Sequence, residues 1–210
     1  MARFDSRAAG VAVAVARVAA MALLATVFSV AGCGMPVGSS FRSGGISDDS
    51  GGGGVDVGDV PQIDYCAPAA IWLDDSIRFE NRVLTLVNER RAAGAHCGAE
   101  GAFPPARPLI MNEALRCAAR RHSLDMNQRN FFDHENPDGE SADGRIEQAG
   151  YVWSAWGENI AAGQPSPEFV MESWMDSDGH CANIMNPNFT EVGVGHHFSD
   201  NWTQAFGRPR

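Results

Sequence analysis

The chain has 210 residues and a formal net charge of −10, enough for one ordinary domain with extensions and too short for several. So acidic a surface repels phosphate backbones and anionic head groups, which excludes nucleic acid as an expected partner. Solubility is the plain meaning of the charge.

The chain opens with Arg3 and Arg7, followed by an unbroken run of apolar or small residues from Val18 to Gly32. Those 15 residues would span roughly 22 Å as a helix, short of a bilayer core of about 30 Å, and Arg17 interrupts any longer stretch. Residues 1–32 therefore read as a signal peptide, with an uncleaved anchor as the alternative. The sequence Val30-Ala31-Gly32-Cys33 resembles the lipobox of bacterial lipoproteins. That resemblance implies cleavage before Cys33, a diacylglycerol on its thiol and a protein anchored at the bacterial cell envelope or surface; ordinary secretion with Cys33 as a bystander is the alternative. Removing residues 1–32 removes three Arg and one Asp, a charge of +2, and takes the net charge from −10 to −12.

Residues 33–65 form the lipid-bearing cysteine and a tether. Gly, Ser and Asp dominate Gly34 to Pro61, with too little apolar surface to repay ordering, so disorder is expected there. The domain is expected over 66–210. Ser76 to Ala93 predicts a helix, with Phe79, Val83, Leu86 and Val87 near helical spacing before Gly94. Asn112 is the expected cap of a second helix reaching about Asn130, whose stripe is Leu115, Ala119, His122 and Met126. On that stripe His122 reads as a core histidine. Arg145 to Gly150 predicts a short helical turn. Ser166-Pro167-Glu168 combines a capping hydroxyl, a first-turn proline and an acid at the positive helix end, predicting a third helix in which Trp174 packs inward. Strands are expected at Glu158 to Ala162, Glu191 to His197 and Trp202 to Phe206, the last two as an antiparallel hairpin. Helices on both sides of a small, mainly antiparallel sheet make an α/β/α sandwich.

Four cysteines remain after Cys33, an even number that suggests two disulfides among three possible pairings. The favoured pairing is Cys97–Cys117, clipping a loop to the next helix, with Cys66–Cys181 fastening the N-terminal segment to the far part of the domain. A nucleophilic Cys181 beside His180 is the sharper alternative, but it leaves an odd thiol unpaired outside the cell. No His-Glu-x-x-His helix, Gly-x-Ser-x-Gly elbow or phosphate-binding glycine loop is present.

Six motifs in order resemble the CAP superfamily, in particular its bacterial SCP-domain branch: His122 to Met126, Phe132 to His134, Gly157 to Ala161, Trp174 to His180, Val192 to Gly195 and Trp202 to Gly207. The resemblance implies the α/β/α sandwich and a cleft holding two His and two Glu. The first His matches His134 and the first Glu matches Glu158. Ser177 stands at the second Glu position and Asn201 at the second His position, so half the tetrad is replaced; His180 is the expected substitute. Asn159 is expected to hold a loop through its side chain. If His134, Glu158 and His180 converge, they supply a three-ligand shell for Zn²⁺ or a similar divalent ion, although no cofactor is required.

The leading expectation is a surface-tethered, monomeric, non-enzymatic binding module with no catalytic residue, taking a lipid or other small apolar ligand, an envelope component or a protein partner. A metal-dependent hydrolase acting on peptide or envelope polymer is the alternative, and a purely structural surface protein the third reading.

Overall fold

A computed structural model describes residues 55–56 and 59–210. The expected signal peptide, the expected lipidation site Cys33 and most of the expected tether fall outside the described residues. Strand β1 (Val55–Asp56) pairs antiparallel with β2 (Trp72–Leu73), and a 3-10 turn lies between them at Asp64–Ala69. Helix α1 (Asp74–Ala93) leads to three two-residue strands, β3 (Ala95–His96), β4 (Ala102–Phe103) and β5 (Ile110–Met111). Then come α2 (Glu113–Arg129), α3 (Ala142–Gln148), β6 (Trp153–Ala162), α4 (Pro167–Met175), α5 (Asp178–Met185), β7 (Glu191–His197) and β8 (Asn201–Pro209).

Local chemistry sets the helix ends. The Asn112 side chain accepts from the backbone N–H of Ala114 and Leu115 at 3.0 and 3.1 Å, satisfying two donors that the first turn of α2 leaves open. Asn130 closes α2 in the left-handed region at φ 52°. Ser166 accepts from Phe169 N–H at 3.4 Å, with Pro167 in the first turn of α4.

The central sheet runs β5-β7-β8-β6, parallel only between β5 and β7 and antiparallel elsewhere. One face carries α1, α4 and α5, where Val83, Val87, Val170, Trp174 and Ile184 pack on Val192, Val194, Trp202 and Phe206. The other carries α2 and α3, where Leu115, Ala118, Ala119 and Ile146 pack around Ala205. This is the expected sandwich, and Trp174 (1% exposed) is core. The long strand β6 begins at Trp153 rather than Glu158; its register shift between Trp153 and Ala155 breaks the alternation by which its start would be recognised. Helix α5, which carries His180 and Cys181, was not expected as an element of its own.

The disulfides are Cys66–Cys117 and Cys97–Cys181, with Cα separations of 5.6 and 5.4 Å. This corrects the expected Cys97–Cys117 and Cys66–Cys181 bridges. Cys66 and Cys117 belong to the core beneath α2, whereas Cys97 and Cys181 belong to the core beneath α1, α4 and α5. The expected bridges would have had to cross the sheet, and a disulfide bridges only Cα atoms closer than about 7 Å. With Cys181 bonded, the cysteine-nucleophile alternative falls as well. The ordered domain also starts before Cys66: Val60 is 2% exposed in the α2 core, and the Asp59 carboxylate meets the Arg116 guanidinium at 2.8 Å.

Gly193 and Gly195 let α2 lie directly on β7. A Cβ on Gly193 would stand 1.9 Å from the carbonyl carbon of Leu115, and one on Gly195 would stand 2.4 Å from that of Ala119. Neither neighbour is a flexible side-chain end, so the helix itself would have to move. Gly193→Ala is therefore expected to destabilise the domain by about 3 kcal/mol or more, the upper end of overpacking effects. Urea denaturation measures it, and a loss under about 0.5 kcal/mol, ordinary for a surface change, would contradict the contact.

Candidate functional site

Glu158 sits in the middle of β6, opposite Ala205 of β8, with its side chain 4% exposed. A carboxylate in that position requires a counter-charge, and α3 supplies one. Arg145, itself 2% exposed, donates from Nη2 to both Glu158 oxygens at 3.0 and 2.8 Å. Its Nη1 donates to the Glu140 carbonyl and Nη2 also reaches the His134 carbonyl at 2.8 Å, so one guanidinium fixes both the carboxylate and the loop over it. Within that loop Asn136 accepts from the N–H groups of Asp138 and Glu140 and donates to the Asp125 carboxylate. His134 thus stands on a braced loop, and its Nδ1 donates to Glu158 Oε1 at 2.8 Å.

His122 lies beneath this pair, fully buried as expected, donating from Nε2 to the Asp133 carbonyl at 2.9 Å and standing 3.9 Å from Glu158 Oε1. On the opposite face of β6, Asn159 donates to the His180 carbonyl at 3.1 Å and to Gln204 Oε1 at 3.0 Å, and accepts from Asn183 at 2.9 Å. Asn159 thus ties β6 to helix α5 and to β8 rather than holding a loop, since His180 and Asn183 both lie within α5. Ser177 precedes α5, where its carbonyl accepts from Cys181 N–H and its hydroxyl caps nothing. Asn201 is placed elsewhere. It pairs with Ala162, four positions along β6 from Glu158, or about 13 Å at the usual strand rise. There it lines a hollow with Met126, Phe131 and Phe132.

Arg145, Asn183 and Gln204 are the site residues that sequence reasoning missed. Arg145 had a usable signal, since it lies beside Ile146 in a short helix whose Ala142 and Ile146 are buried, but an arginine there reads as solvated without a known buried acid.

The ionisation states follow from these contacts. Burial pushes the Glu158 carboxyl up, but Arg145, His122 and His134 together outweigh it and hold it at about 2. Burial takes His122 down to about 4 despite the nearby carboxylate. Burial, followed by the charge of His134, takes His180 to about 4 as well. The bond to Glu158 raises His134 above its ordinary value of 6.5, with burial opposing. Near neutral pH the site thus contains an ionised, fully compensated Glu158, neutral His122 and His180, and a His134 that carries much of any titration.

This arrangement tests the expected metal shell. Both oxygens of Glu158 are engaged by a guanidinium, and a divalent ion bound directly to them would lie against that positive charge. Among the described residues, no group of three or more His, Cys, Asp or Glu is arranged to hold a metal. Glu158 does not fit as a direct ligand; the Nε2 of His134 and the ring of His180 are the groups it leaves open.

The signs for pH follow. Because folding lowers the His122 and His180 values, their stabilising share is present above about 6.5 and fades as pH falls towards about 4. The His134 share is present below 6.5 and is lost as pH rises through its raised folded value. An NMR titration of the imidazoles is expected to place His134 above 6.5 and leave His122 and His180 neutral until about pH 4. Three midpoints close to 6.5 would contradict the geometry.

Comparison with known proteins adds the following. The profile of the cysteine-rich secretory protein family, CAP, matches residues 84–206. An uncharacterized protein of Bacillus subtilis (strain 168), YkwD, is 41% identical over 130 residues, covering 61% of this chain and 46% of its own. The chain thus spans less than half the length of that curated relative. An extracellular SCP-domain protein of Bacillus anthracis superposes with a TM-score of 0.56 at 26% identity, over 63% of this chain and 41% of its own. An outer surface protein of Borrelia burgdorferi shares the fold with a TM-score of 0.55 at 15% identity, over 65% of this chain and 95% of its own.

Proposed function

This chain belongs to the cysteine-rich secretory protein family, and we propose that it is an exported, non-enzymatic binding module, held at the bacterial envelope by a lipid on Cys33, rather than a metal-dependent hydrolase. The observation that carries this reading is the full engagement of Glu158 by Arg145 and His134. A general base works best with a pKa near the operating pH. Glu158, held at about 2, and His180, at about 4, are both weak proton acceptors at neutral pH. His134 titrates closer to neutrality, but among the described residues no hydroxyl or thiol is hydrogen-bonded to it that it could activate.

The same contacts suit recognition. They brace a loop that presents the half-exposed His134 imidazole and, two residues earlier, Phe132 at 56% exposure. An apolar side chain beside a titratable donor on a rigid loop provides a contact for an envelope component or a partner protein. Export agrees with the extracellular and outer-surface descriptions of the two structural neighbours and with the two disulfides. Among the described residues, no helix is long and apolar enough to cross a membrane.

Sedimentation with purified cell-wall and membrane fractions tests the reading. Binding is expected, reduced at least tenfold by Phe132→Ser or His134→Ala, with no cleavage of peptide or wall polymer whether or not Zn²⁺ is added. Zinc-dependent cleavage lost in Glu158→Gln would establish the hydrolase. Absence of binding to every fraction would leave a purely structural surface protein.

A further inference from the structure

We propose that the end of the domain bearing the β7–β8 turn is a membrane-docking face, on which Ile71, Leu73 and Phe198 enter the apolar boundary of the bilayer that holds the Cys33 lipid. This rests on the anchored reading above. All three side chains are exposed, at 66%, 47% and 68%, and they border one place. Strand β2 alternates, so Trp72 points inward at 6% exposure while its neighbours Ile71 and Leu73 point out. The Trp72 ring lies 6.4 Å from that of His197, whose ring is 4.1 Å from Phe198.

The turn that presents Phe198 is braced. Asp200 N–H donates to the His197 carbonyl at 2.8 Å, Ser199 Oγ bonds His197 Nδ1 at 2.9 Å, and Asn127 from the end of α2 donates to Ser199 Oγ at 2.7 Å. Phe198 therefore projects from a fixed support, and nothing among the described residues covers it. Asn201, three positions on, lines the hollow that includes exposed Phe132 and extends the apolar surface at this end. Clustered exposed apolar groups of this kind mark interaction sites.

Chain path and charge identify the occupant. Val55 of β1 pairs with Leu73 itself, and only 21 residues, Gly34 to Gly54, separate it from Cys33. Even fully extended, that segment reaches no more than about 75 Å, and it joins the domain on the proposed face. The 210 residues include no lysine, and Arg78, five residues after Leu73 in α1, is paired with Asp75. Attraction to anionic head groups is thus not available as a driving force, and apolar insertion at an interface is.

Amide hydrogen exchange tests this. The chain beginning at Cys33 is coupled through that thiol to a maleimide-bearing lipid in phosphatidylcholine nanodiscs and compared with the uncoupled chain. Exchange over 71–73 and 196–200 is expected to slow at least fivefold, with Ile110 and Met111, at the other end of β7, unchanged. The doubly substituted Ile71→Ser, Phe198→Ser chain is expected to lose the slowing. No slowing, or slowing that survives those substitutions, overturns the docking face. Slowing of the uncoupled chain on concentration without nanodiscs also overturns it, in favour of a second copy as occupant. Because the coupling is chemical, this result is independent of lipidation in the cell. The mass of the Cys33 peptide from envelope fractions decides the anchor separately, and an unmodified thiol there overturns only the anchored reading.

Discussion

The contact on which the site depends is the buried ion pair between Arg145 and Glu158. The edge strand β6 presents at its middle a carboxylate that is almost wholly buried, and a short helix answers it with a guanidinium that is also buried. Such a pair need not add net stability, since desolvating both charges offsets much of their attraction. What it adds here is position. Because Arg145 also binds the carbonyls of His134 and Glu140, the pair sets the loop between α2 and α3, and through that loop the direction of His134. The low value of Glu158, the raised value of His134 and the poor fit to a directly bound metal all follow from this one arrangement.

The rest of the fold prepares that contact from two sides. Beneath it, glycines at 193 and 195 let α2 approach the sheet until its backbone is in contact, placing His122 under Glu158. On the far face, Asn159 and Asn183 tie β6 to α5, and Cys97–Cys181 ties α5 to the loop after α1. Each face of the sheet therefore has its own core and its own disulfide.

This division explains what was legible in the sequence. The caps at Asn112 and Ser166 act within three residues, and the helices they open were read almost to the residue. The pattern around Val192 to Gly195 placed a strand, although why glycine is needed there appears only once α2 lies against it. Disulfide pairing depends on which face each cysteine occupies, a property of topology rather than spacing, and the favoured pairing was wrong for that reason. Asn201 followed its family position, yet the β6–β8 register carries it away from Glu158. Glu158 and His134 were both identified, and the structure joins them. Their buried partner Arg145 was not, because nothing local distinguishes an arginine that meets a buried acid from one that meets water.

A double-mutant cycle on that pair is the most direct test. Arg145→Met and Glu158→Gln are each expected to cost about 3–5 kcal/mol, since each leaves a buried charge without its partner. The double variant should cost less than their sum by about 1–3 kcal/mol, the coupling typical of residues in direct contact. Additivity within about 0.5 kcal/mol, as for independent sites, would contradict the claim that this ion pair organises the site.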